Sequence, residues 1–365
     1  MDRFTIPTSY WHPLDDGRIQ CDVCPRACKL RDGQRGVCFV RARDTIDGVD
    51  GVVLATYGRS SGFCVDPIEK KPLNHFLPGS SVLSFGTAGC NLACRFCQNW
   101  DISKSKEIDT LAEEASPTVI AQAARELGCR SVAFTYNDPT IFLEYAIDVA
   151  EACHALGLST VAVTAGYICP EPRAQLYHHL DGANVDLKAF SEDFYRHQVG
   201  AELGAVLDTL LYLRHETDIW FELTTLLIPG LNDTDDELDR MTRWVVERLG
   251  PDVPMHFTAF HPDYRMLDRP PTPAETLTRA RDIAMGNGVR YAYTGNVSDP
   301  EGQSTRCHGC GRVVIERDRY TIGRYGLDGT GSCLACGTRI PGRFDGPVGD
   351  WGATRLPITF KRTLR

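Results

Sequence analysis

Residues 89–100 read Gly89-Cys90-Asn91-Leu92-Ala93-Cys94-Arg95-Phe96-Cys97-Gln98-Asn99-Trp100 and place three thiols at the spacing C-x3-C-x2-C. A zinc site that closes tetrahedrally needs four ligands, and no fourth cysteine lies in register here. Three thiolates do suit three corners of a 4Fe-4S cube, which leaves the fourth iron open to a ligand that the protein does not supply. The alternative is three buried structural cysteines, but a run bracketed by Gly89 and Asn99 is not typical of a packed apolar segment.

The overall composition is that of a soluble globular protein, since 42% of the 365 residues are hydrophobic and 24% are charged. No apolar run approaches the ~20 residues that span a bilayer, and the first residues lack the basic and apolar regions of a signal peptide. The net charge of −9 argues against broad nucleic-acid binding. The 15 cysteines fall mostly in CxxC-like groups, which without an export signal favours metal ligation in a reducing cytoplasm over disulfides.

Residues 81–297 alternate short β-runs with amphipathic helices. Such β-α units demand a parallel sheet with right-handed crossovers. Six or seven units fall short of the eight of a closed TIM barrel, so we predict an α/β fold, a partial (β/α)6 TIM-like barrel, with its chemistry at the carboxyl ends of the strands. The predicted strands are residues 81–86, 131–135, 160–164, 184–187, 220–227, 256–260 and 289–293, and the predicted helices include 116–127, 141–155, 234–249 and 274–285.

Residues 1–80 form a predicted N-terminal cysteine-rich module. Four thiols within 18 residues indicate a closed metal site, for which zinc and an auxiliary iron–sulfur cluster are both chemically sensible; they are Cys21, Cys24, Cys28 and Cys38. Cys64 stands alone and is expected to be a small buried residue.

Residues 66–78 are rich in charge and bounded by prolines, and they allow two interpretations. Most charge runs are solvated loops, which the residue types alone favour. The alternative is a lid over the barrel mouth that brings Glu69, Lys70, Lys71 and His75 near the substrate.

Residues 298–345 carry two CxxCG knuckles separated by 22 residues, with the thiols of Cys307, Cys310, Cys333 and Cys336. The glycine after each second cysteine permits the tight turn that points backbone amides at sulfur. We predict a C-terminal zinc-ribbon-like module, with rubredoxin-type iron as the alternative. Its hairpin strands are predicted at residues 313–316 and 320–324. Residues 346–365 are a tail that is expected to pack through Trp351 and Phe360.

Several of these motifs together carry a family resemblance. They are residues 21–28, residues 66–73, the loop 89–100, Tyr136-Asn137-Asp138-Pro139 and the terminal knuckles. The loop resembles the signature of the radical S-adenosylmethionine (SAM) superfamily. The whole set, from about residue 20 to residue 340, is similar to the radical SAM enzyme of the AmmeMemoRadiSam system, a relative of pyruvate formate-lyase activating enzymes. The resemblance strengthens the lid interpretation of residues 66–78.

The resemblance implies roles in binding the cofactors. Cys90, Cys94 and Cys97 would ligate the 4Fe-4S cluster, whose open iron SAM chelates through its amino and carboxylate groups, and Phe96 would pack near the adenine. Residues 136–139 stand where relatives place a Gly-Gly-Glu-Pro turn that helps hold the SAM amino group. Cofactor-binding roles therefore fall on Tyr136, Asn137, Asp138 and, at the end of the next strand, Thr164. The aspartate replaces a more usual glutamate, which puts a direct carboxylate contact in doubt.

The resemblance also implies catalytic roles for three strand-end residues. Asp186 and Lys188 match a pair that relatives place beside the methionine end of SAM and the hydrogen-abstraction site, although an ordinary salt bridge would look the same in sequence. His256 matches a strand-end histidine near SAM, although a lone histidine is more often a satisfied structural group.

The implied activity is reductive cleavage of SAM to methionine and a 5′-deoxyadenosyl radical, which abstracts hydrogen from an unidentified small molecule or protein residue. The electron would come from a donor such as ferredoxin or flavodoxin, and other AmmeMemoRadiSam proteins are candidate partners; neither nucleic acid nor a membrane is expected. One alternative is a glycyl-radical-enzyme activating enzyme, weakened because residues 101–128 lack the cysteines of an inserted ferredoxin cluster. Another is a non-catalytic metal-binding docking protein. The sequence leaves the substrate, product, oligomeric state and N-terminal metal open.

Overall fold

The structure is a computed structural model that describes residues 3–104 and 113–360. Its N-terminal part consists of short strands in two three-stranded antiparallel sheets, in the orders β1-β6-β5 and β2-β3-β4. A small apolar cluster of Ile19, Val23, Leu30 and Val52 lies between them. The strands of these sheets are β1 (Ile6–Pro7), β2 (Trp11–Pro13), β3 (Ile19–Cys21), β4 (Lys29–Leu30), β5 (Arg41–Ile46) and β6 (Val49–Leu54). Two further strands, β7 (Arg59–Ser60) and β8 (Phe63–Pro67), follow them in the chain and pair elsewhere.

A nine-stranded sheet forms the body of the described chain, in the order β16-β15-β14-β13-β12-β11-β9-β8-β20. Seven of its strands are parallel neighbours: β9 (Ser81–Phe85), β11 (Ser131–Phe134), β12 (Ser159–Thr164), β13 (Gly182–Asp186), β14 (Trp220–Leu227), β15 (Met255–Ala259) and β16 (Ala292–Gly295). Because β9 and β11 are buried along their whole length, both faces of the sheet are covered. The predicted α/β class and parallel sheet are confirmed.

Helices fill the crossovers between these strands. Ser116 caps α2 by accepting a hydrogen bond from the backbone N–H of Val119, and Pro117 takes the first helical position, as the Ser-Pro pair predicts. Thr234 caps α7 in the same way. The helices are α1 (Trp100–Ser103), α2 (Pro117–Glu126), α3 (Leu143–Ala155), α4 (Pro170–His178), α5 (Glu192–Phe194), α6 (Leu203–Glu216), α7 (Asp235–Leu249), α8 (Ala274–Gly286) and α9 (Pro300–Gln303). None of the helices in the described ranges is long and apolar enough to cross a membrane.

The sheet extends beyond the predicted strands at one edge. Strand β8 pairs antiparallel with β9, and β20 (Leu356–Ile358), from the tail, pairs antiparallel with β8. The short strand β10 (Glu113–Glu114) pairs with β7. The last parallel strand lies at Ala292–Gly295 rather than at residues 289–293, because its pairing with β15 starts only at Ala292. The domain boundaries at residues 80, 297 and 345 stay predictions; residues 105–112 and 361–365 lie outside the described residues.

The C-terminal residues form an antiparallel sheet of β17 (Thr305–Arg306), β18 (Val313–Asp318) and β19 (Thr321–Tyr325). Its apolar cluster includes Tyr291 and Tyr293 from the last part of the barrel, so this sheet packs against the end of the barrel. The tail then returns along the barrel, where the backbone N–H of Trp351 donates to the carbonyl of Gly79.

Candidate active site

A cavity of about 300 Å³ opens at the carboxyl ends of the parallel strands. Residues at or beside five successive strand ends line it, from β11 through β15. The cavity brings together ten residues that the sequence singled out: Cys90, Cys94, Phe96, Cys97, Tyr136, Asn137, Asp138, Thr164, Asp186 and Lys188. The site predicted from motifs scattered over a hundred residues is therefore one continuous surface.

The spacing of the thiols separates two kinds of metal site. Bonds of about 2.3 Å at tetrahedral angles put the sulfurs around one zinc ion about 3.8 Å apart. The Sγ atoms of Cys307 and Cys336 are 3.6 Å apart and those of Cys310 and Cys333 are 3.9 Å apart. All four ligand atoms lie within 4.8 Å of one another, which holds for no other group of three or more Cys, His, Asp or Glu in residues 3–104 and 113–360.

The thiols of Cys90, Cys94 and Cys97 therefore do not converge closely enough to share one ion. This spacing fits a 4Fe-4S cluster, because each thiolate then binds a different iron atom. Cys94 is buried whereas Cys90 and Cys97 are partly exposed, and burial raises the pKa of Cys94 to about 12 although Lys188 opposes the shift. Metal binding at this site would therefore release protons.

The loop that carries these thiols is fixed by backbone contacts. The side chain of Asn137 accepts from the N–H of Thr87 at 3.1 Å and donates to the carbonyl of Gly89 at 2.8 Å. The Asn91 amide donates to the carbonyl of Tyr167 at 2.9 Å. These bonds hold both ends of the turn around Cys90.

Asp138 joins the ends of two neighbouring strands. Its buried carboxylate accepts from the hydroxyl of Thr164 at 3.1 Å, from the N–H of Ala165 at 2.8 Å and from the N–H of Thr140 at 3.0 Å. The carboxylate is thus occupied by protein donors. Two residues earlier, Tyr136 has a φ of +71°, a left-handed conformation that favours glycine.

Asp186 and Lys188 form an ion pair at the end of β13, with 2.7 Å between Oδ2 and Nζ. Burial disfavours the ammonium, but Asp186 and the Cys94 thiol raise the pKa of Lys188 well above its usual range. Asn232 fixes the backbone by donating to the carbonyl of Lys188 at 2.7 Å. Lys188 therefore stays protonated beside the cysteine loop, with Asp186 as its counter-ion.

Residues 66–78 are mostly buried, so the interpretation as a solvated loop is wrong. The reason is internal pairing: the buried carboxylate of Asp66 accepts from Lys70 at 2.9 Å, from Lys71 at 2.8 Å and from the Tyr136 hydroxyl at 3.1 Å. Lys70 lines the cysteine cavity, whereas Lys71 faces Asp66.

The Asp66 cluster predicts a dependence of stability on pH. Burial raises the pKa of Asp66, but Lys71 and Lys70 outweigh it and lower this pKa to about 2. Because the pKa is lower in the folded chain than in the unfolded one, the stabilisation is complete above about pH 4 and is lost as the pH falls towards 2. We expect about 1 kcal/mol of this loss between pH 5 and pH 3 in urea unfolding. Asp66→Asn should lack that part of the pH dependence, and equal slopes for variant and parent would contradict the assignment.

Comparison with known proteins decides the family. The sequence model of the radical SAM superfamily matches residues 85–245. An uncharacterized protein of Methanocaldococcus jannaschii is 38% identical over 333 residues, which cover 91% of this chain and 97% of that protein. The chain belongs to the radical SAM superfamily.

More distant relatives of this radical SAM protein include two activating enzymes. The 4-hydroxyphenylacetate decarboxylase activating enzyme of Clostridioides difficile is 20% identical, covering 56% of this chain and 70% of that protein. The pyruvate formate-lyase-activating enzyme of Clostridium pasteurianum is 23% identical, covering 42% of this chain and 64% of that protein. Among solved structures, a radical SAM methyltransferase from Sphaerobacter thermophilus is 17% identical with a TM-score of 0.48, covering 82% of this chain and 81% of that chain.

His256 does not line the cysteine cavity of this radical SAM protein. Its Nε2 atom lies 2.7 Å from Oε2 of the buried Glu222, and its ring packs on Tyr293. It instead lines a second cavity of about 270 Å³. Four residues line both cavities, which therefore adjoin: Lys70, Pro72, Thr258 and Asn296.

The second cavity also receives residues from the C-terminal sheet. Arg317 on β18 and Arg319 and Tyr320 after it line the cavity together with Glu69 and Asn74. This contribution has no signal in the sequence, because the spacing of the C-terminal cysteines indicates metal binding alone. Sequence reasoning also missed Gln98 and Thr224 in the first cavity, each of which has a buried side-chain atom without a hydrogen-bond partner.

Proposed function

We propose that this chain is a SAM-cleaving radical enzyme whose 4Fe-4S cluster is held by Cys90, Cys94 and Cys97. The observation that supports this most directly is a loop of three thiols, too widely spaced for one ion, at the carboxyl mouth of a parallel barrel. When bound, the cluster and SAM supply a one-electron cleavage that gives methionine and a 5′-deoxyadenosyl radical, which abstracts hydrogen from the substrate. Reconstitution with iron and sulfide, then assay for 5′-deoxyadenosine under dithionite, tests this; a full cluster without SAM cleavage would contradict it.

The protein's own residues bind and orient in this proposal. The Lys188 ammonium, fixed by Asp186, supplies a positive charge for the carboxylate end of SAM. Asp138 acts through the backbone, because it holds Thr164 and Ala165 at the adjacent strand end, whose polar groups face the cavity. Phe96 offers an apolar surface for the adenine. The barrel walls exclude water from the reacting centre.

We place the substrate in the second cavity. It adjoins the cysteine cavity through Thr258 and Asn296 and is lined by side chains that form hydrogen bonds. His256, oriented by Glu222, would then face the substrate rather than SAM. The substrate remains a small molecule or a protein residue, and a complex with substrate bound elsewhere would contradict this placement.

The partners follow from the chemistry. Cleavage consumes one electron, so we propose a reductant such as ferredoxin or flavodoxin, and the motif set favours other AmmeMemoRadiSam proteins as further partners. A glycyl-radical-enzyme activating enzyme is the second candidate function, because two of the distant relatives carry that activity in their names. A glycine-centred radical, detected by EPR in an added partner enzyme, would distinguish it.

We propose that the C-terminal group of four cysteines binds zinc. The sulfur spacings of 3.6 and 3.9 Å between opposite pairs match a single tetrahedral ion, although rubredoxin-type iron would need a similar site. Either ion would hold together the two cysteine knuckles that frame β17, β18 and β19.

Cys310→Ser is expected to release the zinc while leaving the iron of the Cys90 loop in place. The reason is that the two sites share no ligands and lie in different modules. Metal analysis of anaerobically purified protein checks it, with the exposed Thr330→Ala as a matched control in the same module. A Cys310→Ser protein that keeps its full zinc content would contradict the assignment, and iron in place of zinc in the parent would establish the rubredoxin-type alternative.

A further inference from the structure

The four N-terminal thiols share one small enclosed cavity. Cys21, Cys24, Cys28 and Cys38 line it together with the buried Arg41, and residues Asn91, Thr140 and Ile141 close it from the barrel side. The backbone N–H of Val37 points at the Cys28 sulfur at 3.5 Å. Thiols that line one cavity, with a backbone N–H directed at sulfur, are typical of a metal site.

The spacing of these thiols distinguishes them from the C-terminal group. No three of the four Sγ atoms lie within 4.8 Å of one another, although all four cysteines belong to the described residues. The four C-terminal sulfurs do lie within 4.8 Å of one another, which is the spacing expected around one ion. Thiols that line one cavity without converging on one point are not arranged around a single tetrahedral ion, whereas in a 4Fe-4S cube each thiolate binds a separate iron.

This site touches the Cys90 loop directly. The Arg26 guanidinium donates from Nε to the carbonyl of Asn91 at 2.8 Å. A Cβ atom on Gly89 would lie 2.0 Å from the carbonyl oxygen of Cys38, so the two cysteine loops meet backbone to backbone. Gly89 directly precedes Cys90. The segments that carry the two sets of thiols are therefore in direct backbone contact, at Cys38 and Gly89.

The segment between Cys28 and Cys38 is basic in a chain whose net charge is −9. Lys29, Arg31 and Arg35 are all exposed and lie between Cys28 and Cys38, with Asp32 as the one acidic residue among residues 29–37. Val37, 58% exposed, adds an apolar contact beside them. A basic rim around an apolar residue suits an acidic protein partner, whose association it would steer.

We propose that Cys21, Cys24, Cys28 and Cys38 hold a 4Fe-4S cluster, which an acidic one-electron carrier protein reduces at the surface formed by Lys29, Arg31, Arg35 and Val37. The carrier loses one electron and the N-terminal cluster gains it, then returns to its oxidised state as the electron moves on to the Cys90 loop. No bond is made or broken and no proton moves. Only the last transfer rests on the proposed function.

Iron and zinc contents of anaerobically reconstituted variants test the cluster. The parent should hold about eight iron atoms, and Cys94→Ser should keep about four, with a reducible cluster in its EPR and Mössbauer spectra. Cys21→Ser should likewise keep about four. A Cys94→Ser protein without iron would overturn the proposal, as would Cys21→Ser that loses zinc and keeps all iron. Cys94→Ser leaves the N-terminal thiols unchanged. Its iron content therefore tests the N-terminal cluster even if Cys21→Ser fails to fold.

Stopped-flow reduction by reduced flavodoxin tests the surface. Charge reversal at Lys29→Glu, Arg31→Glu and Arg35→Glu together should slow cluster reduction at least about 10-fold and weaken its dependence on salt, while the rate with dithionite stays unchanged. A matched triple variant at exposed arginines elsewhere, Arg125→Glu, Arg214→Glu and Arg312→Glu, should behave like the parent. Equal slowing in both triple variants would overturn the docking surface. Absence of 5′-deoxyadenosine with both clusters reduced would instead contradict the proposed function.

Discussion

Cys94→Ser is expected to remove the iron bound at the Cys90 loop and to lower 5′-deoxyadenosine formation under dithionite by more than about 100-fold, because ligand loss exceeds the 10–100-fold cost of disturbing outer-shell partners. A serine hydroxyl is a poor iron ligand, and Cys94 is the most enclosed of the three thiols, so no water-borne ligand can take its place. Two thiols cannot hold the cluster that three hold. The measurement is iron content together with product formation at matched protein concentration.

Cys64→Ser provides the matched control for this result. Cys64 is also buried, but its thiol contacts the carbonyl of Val65 at 3.7 Å and lies in none of the three cysteine groups. Its replacement should leave iron content and SAM cleavage close to those of the parent. Undiminished SAM cleavage by Cys94→Ser would remove the basis for an enzyme at this loop and would favour a docking protein.

Glu222→Ala is expected to lower the free energy of unfolding by about 3–5 kcal/mol, the cost of breaking a buried ionic network. Its fully buried carboxylate accepts from the backbone N–H groups of Asn74 and His75, at 3.0 and 2.7 Å, and from Trp220 Nε1 at 3.0 Å. It also pairs with His256 at 2.7 Å. Removal leaves these buried donors without an acceptor and weakens the attachment of Asn74 and His75 to β14.

Urea unfolding and thermal unfolding measure this effect. Glu216→Ala, at the exposed end of α6, should change the free energy of unfolding by no more than about 0.5 kcal/mol. A Glu222→Ala protein as stable as Glu216→Ala would contradict the role of this carboxylate as the attachment of the segment. His256→Gln, which retains a donor for Glu222, should be less destabilised than Glu222→Ala.

The parallel strands could be predicted because each is a short apolar run closed by turn residues. Strand β8 could not, since Asp66 and Pro67 interrupt its pattern. The buried carboxylate of Asp66 is stabilised by its ion pairs with Lys70 and Lys71. Such pairing produces no periodic pattern in a sequence. The same cause made residues 66–78 look like a solvated loop.

The candidate site shows the same division between local and distant information. The cysteine loop is a local motif, and its place at a strand end follows from the β-α pattern. The contact of Asp138 with Thr164 joins residues 26 apart, and that of Glu222 with His256 joins residues 34 apart. Such contacts depend on which strands lie side by side. These contacts could therefore be identified only from the order of the strands in the sheet. His256 lines the second cavity and not the cysteine cavity.

The proposed function requires that the cluster at Cys90, Cys94 and Cys97 has an iron open to SAM. Pulsed ENDOR of the reduced, reconstituted protein with SAM labelled by 15N at the amino group and by 17O at the carboxylate tests it most directly. We expect hyperfine coupling of both labels to the cluster in the parent and in Cys21→Ser, and no such coupling in Cys94→Ser. A reduced cluster that shows coupling to neither label in the presence of saturating SAM would contradict it.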